Sequence, residues 1–416
     1  MDNSITNNHY SKENPLKIDG SILEGGGQIL RISICLSYLL NIPIIISNIR
    51  GKRKNPGLQR QHLECTKFIT AIYNTTEVTG FSLNSSEITV IPTKLDILQK
   101  ENEKMKCIVN SAASIGLMIQ EILPCALFTN IYDVNSNDDD KKLSITLTGG
   151  TLVISSPTIY YLNQVLFPIL SKYMNIHASC DIIRNGIYPI GLGEVIFNVE
   201  RMNKSQHDFI HPITITERGK FIGAEICFCY TNTISSEIKD ICDTIFEDAK
   251  KIIYKEFLEH GNSKEGNGNG ITYNENEIIK EKRVEVGKRF CTFYYQVVMI
   301  YENTRIKGDY MLSVKKGNIK PETLIAKCNK ATQSTVNNHE VCVDEHTVDH
   351  LIIFLSLAKG ISKIKVGEIS LHTQTAIETI KQFSSKVKIN ITSEQMEDHI
   401  SNTIEIEGMG LYDFMK

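Results

Sequence analysis

A short basic segment near the amino-terminus is the first part of the chain whose side chains could hold an anion. Residues 50–62 read Arg-Gly-Lys-Arg-Lys-Asn-Pro-Gly-Leu-Gln-Arg-Gln-His, which places five cations and a histidine around a Pro-Gly turn. Arginine binds a phosphate through two parallel N–H donors, so the arginines of this segment are candidate phosphate ligands. A solvated basic loop without a ligand is the alternative interpretation.

Three consecutive glycines lie one loop upstream of the basic segment. Residues 24–28 read Glu-Gly-Gly-Gly-Gln, between a short strand-like segment and an apolar segment of helical character. Glycine lets the backbone approach a ligand closely, and a helix N-terminus presents free N–H groups. The spacing matches neither GxGxxG nor GxxxxGK[ST], so a tight turn without a ligand is the alternative. Taken with the basic segment, Glu24, Gln28 and Arg31 favour an anion site.

Two later segments carry histidines at positions suited to chemistry. His372 lies between a strand-like run and an amphipathic helix, a corner where α/β proteins place reactive groups, although a capping or surface histidine is the alternative. His346 and His350 are four residues apart with Asp349 beside them, which is a spacing of zinc ligands on a helix. A pocket wall or the polar start of an apolar helix would give the same pattern, and no third ligand is identifiable.

The composition limits what kind of protein must position these residues. The chain has 416 residues, 41% of them hydrophobic and 22% charged, which is typical of a soluble globular protein of two or three domains. A net charge of −3 means that any nucleic-acid site must be a local basic patch. The eleven cysteines include no CxxC pair, which favours free buried thiols in a reducing compartment. No apolar stretch is long enough for a membrane span, and residues 1–15 are expected to be a disordered lead-in.

The order of strand-like and helical segments predicts an α/β fold. A pattern of two helices and several strands recurs at about 16–95, 105–200 and 340–408, and residues 210–338 interrupt it. We therefore expect three repeated units, each with two helices on a four-stranded sheet. They would form a large domain of residues 16–209 and 339–416, with a smaller α/β domain inserted at 210–338. The insertion is predicted to contain β structure at Ile213–Tyr230, Ile271–Tyr273 and Phe290–Tyr301, and helices at Ser235–Glu256 and Pro321–Asn337.

Taken together, these blocks resemble the RNA 3′-terminal phosphate cyclases, in their catalytic branch. The glycine corner, the basic segment and the stretch Leu371–Ala376 carry the resemblance. Gly149-Gly150-Thr151, Tyr188-Pro189 with Gly193-Glu194, Thr216–Gly219 and Gly266–Gly270 support it. The blocks follow in order from about residue 16 to about 412, so the resemblance covers nearly the whole chain.

The resemblance implies an ATP-dependent reaction on RNA. A histidine takes AMP from ATP and passes it to an RNA 3′-phosphate, and the neighbouring 2′-OH then closes a 2′,3′-cyclic phosphate with help from a divalent metal, Mg²⁺ or Mn²⁺. His372 is expected to be that nucleophile. The nucleotide-binding residues implied are Gln120, Pro157, His346, Asp349 and His350. Those implied near the phosphates and the RNA end are Glu24, Gln28, Arg31, Arg50, Arg53, Gln61 and His62. The site should lie where the three units meet, with His372 close to Glu24 and Arg53.

Five positions depart from the family pattern. His346 and His350 stand where Tyr and Gln are usual, and Leu152, Tyr160 and Leu192 replace other residues. We expect these changes to surround the nucleotide pocket, and so to affect nucleotide preference more than the nucleophile.

Two alternatives come from other classes of protein. One is a non-catalytic, cyclase-like RNA-binding factor of ribosome assembly, but that branch lacks the glycine corner and the reactive histidine. The other is a zinc hydrolase built on His346 and His350. The resemblance favours a nuclear location, with the cytosol as an alternative, and the oligomeric state is not indicated.

Overall fold

A computed structural model describes residues 10–73, 77–92, 105–129, 142–202, 209–234, 236–261, 278–287, 290–314, 320–338, 341–395 and 400–411. The predicted strand Ile271–Tyr273 and most of the predicted lead-in lie outside these residues. Within them, sixteen strands form four sheets of four strands each, with eight helices when the helical run from Ile159 to Met174 is counted once.

The first unit follows the order strand, helix, strand, helix, strand, strand. Its elements are β1 (Leu16–Asp19), α1 (Gly27–Leu40), β2 (Ile44–Ser47), α2 (Arg60–Ile72), β3 (Glu77–Thr79) and β4 (Ile88–Ile91). β1 and β2 are parallel, β4 is antiparallel to β2, and β3 lies at the outer edge. β1, β2 and β4 alternate buried with more exposed residues, as strands do when one face packs on a core.

The second unit repeats that order and pairing. Its elements are β5 (Met105–Ile108), α3 (Ile115–Leu127), β6 (Lys142–Gly149), α4, β7 (Ala178–Arg184) and β8 (Gly193–Glu200). α4 is a continuous helix made of Ile159–Tyr161, a π-helical turn at Leu162–Leu166, and Phe167–Met174. β5 and β6 are parallel, β8 is antiparallel to β6, and β7 is at the edge.

The chain then forms a short strand, β9 (Thr214–Ile215), and enters a fourth sheet of different topology. The elements of this insertion are β10 (Phe221–Thr231), α5 (Ile238–Gly261), β11 (Ile279–Gly287), β12 (Cys291–Tyr301), β13 (Arg305–Val314) and α6 (Pro321–Asn337). The strand order is β11-β10-β12-β13, with only the first pair parallel.

The third unit resumes after the insertion. Its remaining elements are α7 (Glu345–Leu357), β14 (Ile361–Val366), α8 (Leu371–Phe383), β15 (Lys388–Gln395) and β16 (Ile400–Glu407). β9 pairs parallel with β14, and β16 lies antiparallel between β14 and β15. Each of the three units therefore has the same strand order, and the predicted α/β fold with three repeated units is confirmed.

The predicted β segment Ile213–Tyr230 is wrong as a single element. Its first residues form β9, which pairs with β14 of the third unit, whereas the rest belongs to β10 of the inserted sheet. Gly219, with a φ of 72°, lies in the turn between the two strands. The third unit's first strand thus lies inside the segment predicted as the insertion, and the domain division at 210 and 338 stays a prediction.

Apolar packing joins the four sheets. One buried cluster runs through all three repeated units, where α1 packs against α3 and α8. The insertion has its own buried cluster, and a smaller cluster joins it to the second unit. All eleven cysteines are buried free thiols, as predicted. No helix in the described ranges is long and apolar enough to cross a membrane.

Candidate active site

A cavity of about 690 Å³ lies where the three repeated units meet. Each of their six helices contributes at least one side chain to its wall. All thirteen site residues predicted from the sequence line it: Glu24, Gln28, Arg31, Arg50, Arg53, Gln61, His62, Gln120, Pro157, His346, Asp349, His350 and His372. The structure therefore brings the predicted set together, and the role of each residue stays a prediction.

The glycine corner packs tightly under this cavity. α1 begins at Gly27 with Gly26 as its N-cap, and no side chain caps this end. A Cβ on Gly26 would overlap the Glu24 carboxylate, and one on Gly27 would come 2.6 Å from His62 Nε2. Gly25 has a φ of 56°, in the left-handed region that favours glycine. Glycine at these positions lets polar side chains lie against a helix N-terminus, an end of a helix that favours anions.

Arg31 is a fixed cation on the wall of the cavity. Its side chain is buried, its Nε donates to Gln120 Oε1 at 3.0 Å, and its Nη2 donates to Gln28 Oε1 at 3.4 Å. Burial lowers the pKa of Arg31 to about 10, so the guanidinium remains charged at neutral pH. The neighbouring Glu121 is also buried, and burial raises its pKa to about 8.

The basic segment is folded around the glycine corner instead of extending into solvent. Arg53 forms an ion pair with Glu24, and Lys52 Nζ donates to the Leu23 carbonyl at 3.0 Å. Arg50 has a φ of 53°, and its Nη1 donates to the Asn55 carbonyl at 2.5 Å. These contacts place two arginines of the segment, Arg50 and Arg53, in the cavity wall.

His372 lies in the first turn of α8, and not before the helix as the sequence pattern predicted. The helix begins one residue earlier, at Leu371, because Ser370 caps it by accepting a hydrogen bond from the Thr373 N–H at 2.9 Å. His372 Nδ1 lies 3.1 Å from Glu24 Oε2, although the alignment falls short of a hydrogen bond. The Glu24 N–H also donates to Thr375 Oγ1 at 3.3 Å. The glycine corner therefore contacts α8 through the backbone N–H and the carboxylate of Glu24.

Asp349, on α7, holds the start of α8 from the other side. Its Oδ1 accepts hydrogen bonds from Ser370 Oγ at 2.9 Å and from Thr373 Oγ1 at 2.6 Å. Burial raises the pKa of Asp349, and these two hydrogen bonds oppose that shift because they favour the charged form. The turn that carries His372 is thus attached both to α7 and to the glycine corner.

The cavity wall around His350 and Tyr161 is aromatic, and we call it the neutral end because its two rings are uncharged, although the ion pair of Lys307 and Asp309 borders it. The buried His350 ring lies 5.7 Å from the Tyr161 ring, measured between centroids. Burial, followed by the charge of Arg31, lowers the pKa of His350 to about 3, so the ring is uncharged at neutral pH. Tyr161 OH donates to Thr347 Oγ1 at 3.0 Å, and Pro157 and His346 complete this wall.

Comparison with known proteins identifies the family. The model of the family described as "RNA 3′-terminal phosphate cyclase" (RTC) matches residues 22–391 of the chain. The chain belongs to this family. It is 31% identical over 398 residues to the RNA 3′-terminal phosphate cyclase of Desulfurococcus amylolyticus, covering 95% of this chain and 98% of that one. It is 30% identical over 380 residues to the RNA 3′-terminal phosphate cyclase of Saccharolobus solfataricus, covering 91% of this chain and 97% of that one.

One wall of this cyclase-family cavity was missed from the sequence. Lys307, Asp309 and Met311 of β13 line the cavity from the insertion. Lys307 Nζ lies 2.7 Å from Asp309 Oδ2 and 5.2 Å from the Tyr161 ring centroid. The alternation of these residues predicts that they share one face of a strand. It does not predict that this face meets the cavity.

The five departures from the family pattern do not all surround the pocket, which corrects the expectation. His346 and His350 line it, but Leu152 and Tyr160 are buried in the apolar cluster that joins the second unit to the insertion. Successive residues on a helix point about 100° apart, so Tyr161 faces the cavity while Tyr160 faces the inserted sheet. Leu192 is 55% exposed on a surface loop.

Several buried polar atoms in the cavity wall have no hydrogen-bond partner among the described residues. Glu24 Oε2, Gln28 Nε2 and His62 Nδ1 make no hydrogen bond within the described part of the chain. Buried polar atoms nearly always form hydrogen bonds. Their lack of hydrogen bonds here fits a site in which a ligand supplies the missing contacts. Among the described residues, no three His, Cys, Asp or Glu side chains are grouped as metal ligands. A zinc site on His346 and His350 would need such a third ligand.

Proposed function

We propose that this protein converts an RNA 3′-terminal phosphate into a 2′,3′-cyclic phosphate, using ATP and a histidine–AMP intermediate. The observation that carries the proposal is the position of His372, a half-exposed imidazole whose Nδ1 lies 3.1 Å from Glu24 Oε2, in a cavity walled by Arg31, Arg50 and Arg53. Family membership supports the same activity, since the relatives are named for it.

In the first step, His372 attacks ATP. With its proton on Nδ1, next to the Glu24 carboxylate, the imidazole presents the lone pair of Nε2. A bond forms between Nε2 and the α-phosphorus while the bond to the bridging oxygen breaks, and pyrophosphate leaves with that electron pair. Arg31 and Arg50 stabilise the negative charge that develops on the phosphates.

In the second step, an oxygen of the RNA 3′-phosphate attacks the AMP phosphorus. The bond between that phosphorus and His372 Nε2 breaks, which restores the imidazole and leaves AMP on the RNA end. The 2′ oxygen then forms a bond to the 3′-phosphorus, and the hydroxyl proton passes to solvent. The bond from the 3′-phosphorus to the oxygen that bridges to AMP breaks, AMP leaves with that electron pair, and the 2′,3′-cyclic phosphate closes. The cavity contributes by holding both reactants in line.

The neutral end of the cavity is suited to the base of the nucleotide. His350, Tyr161 and Pro157 form an uncharged wall, and Gln120 brings an amide that also fixes Arg31. Flat uncharged rings favour a heteroaromatic base over a phosphate. We therefore assign the base to this end and the triphosphate to the arginine end.

A divalent cation fits beside Glu24. The buried Oε2 of Glu24 has no hydrogen-bond partner among the described residues, and carboxylate oxygen is the ligand that Mg²⁺ and Mn²⁺ prefer. A bound cation would neutralise part of the charge on the phosphates of ATP.

Labelling with ATP that carries ³²P at the α-phosphate tests the proposal. We expect the purified protein to retain the label as an acid-labile phosphoramidate, and His372→Ala to retain none. His177→Ala, at an exposed histidine outside the cavity, should label like the parent. An RNA 3′-phosphate should then become resistant to phosphatase. RNA binding without any labelling would instead support the non-catalytic alternative and overturn the proposal.

A further inference from the structure

Five large apolar side chains of the second unit are exposed, and one of them lines the cavity. They are Ile154, Ile183, Tyr188, Ile190 and Leu192, each at least 37% exposed, and we refer to them as the apolar rim. Monomeric proteins rarely expose apolar side chains in such groups unless the surface binds something.

Backbone contacts connect this rim to the cavity. Ile154 itself lines the cavity, and Ile187, next to Tyr188, forms a β-bridge with Leu152. On the other side, Gly191 packs so closely that an added Cβ would overlap the Ser111 carbonyl.

The same stretch reaches the basic segment. Three residues after Ser111, the Ser114 N–H donates to Gln61 Oε1 at 3.1 Å, and Gln61 lines the cavity. The rim therefore continues the cavity wall on the side of the basic segment.

Leu192 holds an unfavourable conformation at the tip of the rim. Its φ is 59°, a region that few residues other than glycine adopt, and its side chain is 55% exposed. Arg184 Nε donates to the Leu192 carbonyl at 2.5 Å, which helps to hold the loop in place. Such strain persists mainly at functional sites. A large exposed side chain at a position suited to glycine is therefore a candidate for contact with a ligand.

The chemistry of the rim and its surroundings suits single-stranded nucleic acid. Tyr188 brings an exposed aromatic ring on which a base can stack without regard to sequence, and its aliphatic neighbours offer apolar surface for contact with the faces of further bases. Arg184 brings an exposed cation to the rim, where it is also 3.5 Å from Glu194, and the exposed Arg60 directly precedes Gln61 of the cavity wall. A cavity of about 690 Å³ that holds ATP leaves room for little more than the end of an RNA. The preceding nucleotides must then follow the adjoining surface.

We propose that the apolar rim binds the bases of the unpaired nucleotides that precede the 3′-terminal phosphate of the RNA. This inference rests on the proposed function, because it places the RNA end in the cavity. It explains how a protein that acts on an RNA end can gain affinity for single strands of any sequence.

The test compares two substrates of different length, a single nucleoside 3′-phosphate and a hexameric oligouridylate 3′-phosphate. Tyr188→Ala and Leu192→Gly should each raise the KM for the hexamer about tenfold. Neither should change the KM for the mononucleotide or the labelling of His372 by ATP. Tyr188→Phe should behave like the parent because it keeps the ring. Ile361→Ala, at an equally exposed isoleucine on β14, is the matched control.

A direct measurement separates this inference from the proposed function. The Kd of a fluorescent hexamer with a 3′-phosphate, measured without ATP, should rise in Tyr188→Ala and Leu192→Gly even if the protein transfers no AMP. Unchanged binding of the hexamer, or an equal loss with both substrates, would overturn the inference. So would a parent dimer that Tyr188→Ala dissociates in sedimentation, since the rim would then bind a second copy of the chain.

Discussion

The two ends of the cavity differ in whether their buried side chains are charged. At the arginine end, Arg31 is buried yet charged, and Arg53 pairs with Glu24. At the neutral end, His350 is equally buried but uncharged, and it lies against Tyr161. A guanidinium keeps its proton under desolvation that removes the proton from an imidazole, because its ordinary pKa is about six units higher.

This difference shows how one cavity can bind a ligand that has a charged part and an uncharged part. A nucleotide has a charged triphosphate and an uncharged base, and each end of the cavity matches one of them. His372 lies at the arginine end, where the chemistry would take place. Changes at the two ends should therefore have different kinetic signatures.

Removing the buried cation should have the largest effect. We expect Arg31→Ala to slow self-adenylation by about 10²- to 10³-fold, because charge developing on the phosphates loses its fixed partner. Rates from single-turnover labelling check this. Lys54→Ala, at an exposed cation of the basic segment, should change the rate little. Equal losses in the two variants would mean that general positive charge, and not the fixed position of Arg31, matters.

Changing the neutral end should affect ATP binding instead of rate. His350→Ala is expected to raise the KM for ATP about three- to tenfold while kcat stays nearly constant, because a ring contact with the base is present before and during the reaction. Steady-state kinetics over a range of ATP concentrations measures both values. A fall in kcat at unchanged KM would contradict the division of the cavity into two ends.

Protonation of a buried histidine at either end of the cavity should destabilise the folded protein. Burial lowers the pKa of His62 and of His350 to about 3. Between about pH 6.5 and pH 3, both histidines are therefore uncharged in the folded protein but protonated in the unfolded chain. The free energy of unfolding should therefore fall as the pH drops from about 6.5 towards about 3. Each histidine contributes about 1.4 kcal/mol per pH unit. Glu121, with a raised pKa, opposes part of this loss.

Urea denaturation of variants isolates the histidine contribution. His350→Gln should lower the slope of unfolding free energy against pH by about 1.4 kcal/mol per unit between pH 5 and 6. His177→Gln, at an exposed histidine outside the cavity, is the matched control. A parent-like slope in His350→Gln would show that this ring does not stay neutral in the fold.

Loss of the helix cap near His372 should have the smallest effect. Ser370→Ala removes the cap of α8 and one hydrogen bond to Asp349. We expect the free energy of unfolding to fall by about 1 kcal/mol and self-adenylation to slow less than in Arg31→Ala. Thermal denaturation and labelling rates measure the two effects, and Ser370→Thr should recover most of the loss. A rate as low as that of Arg31→Ala would mean that the cap itself controls the nucleophile.

Local sequence patterns predicted the parts of the cavity that depend on local chemistry. The glycine corner and the arginines were recognisable because close packing requires glycine and phosphate binding favours arginine. The wall on β13 was not recognisable from the sequence, because the register of β13 on β12 brings Lys307 and Asp309 to the cavity. The different directions of Tyr160 and Tyr161 also depend on how α4 packs, which no single segment determines.

The six-helix wall has a consequence for folding. Since α1, α2, α3, α4, α7 and α8 all contribute to the cavity, no unit can unfold without dismantling part of its wall. A nucleotide that binds only the complete wall adds its binding free energy to the stability of all three units together. Amide hydrogen exchange should then slow in the sheets of all three repeats when ATP is added, including strands that never touch it.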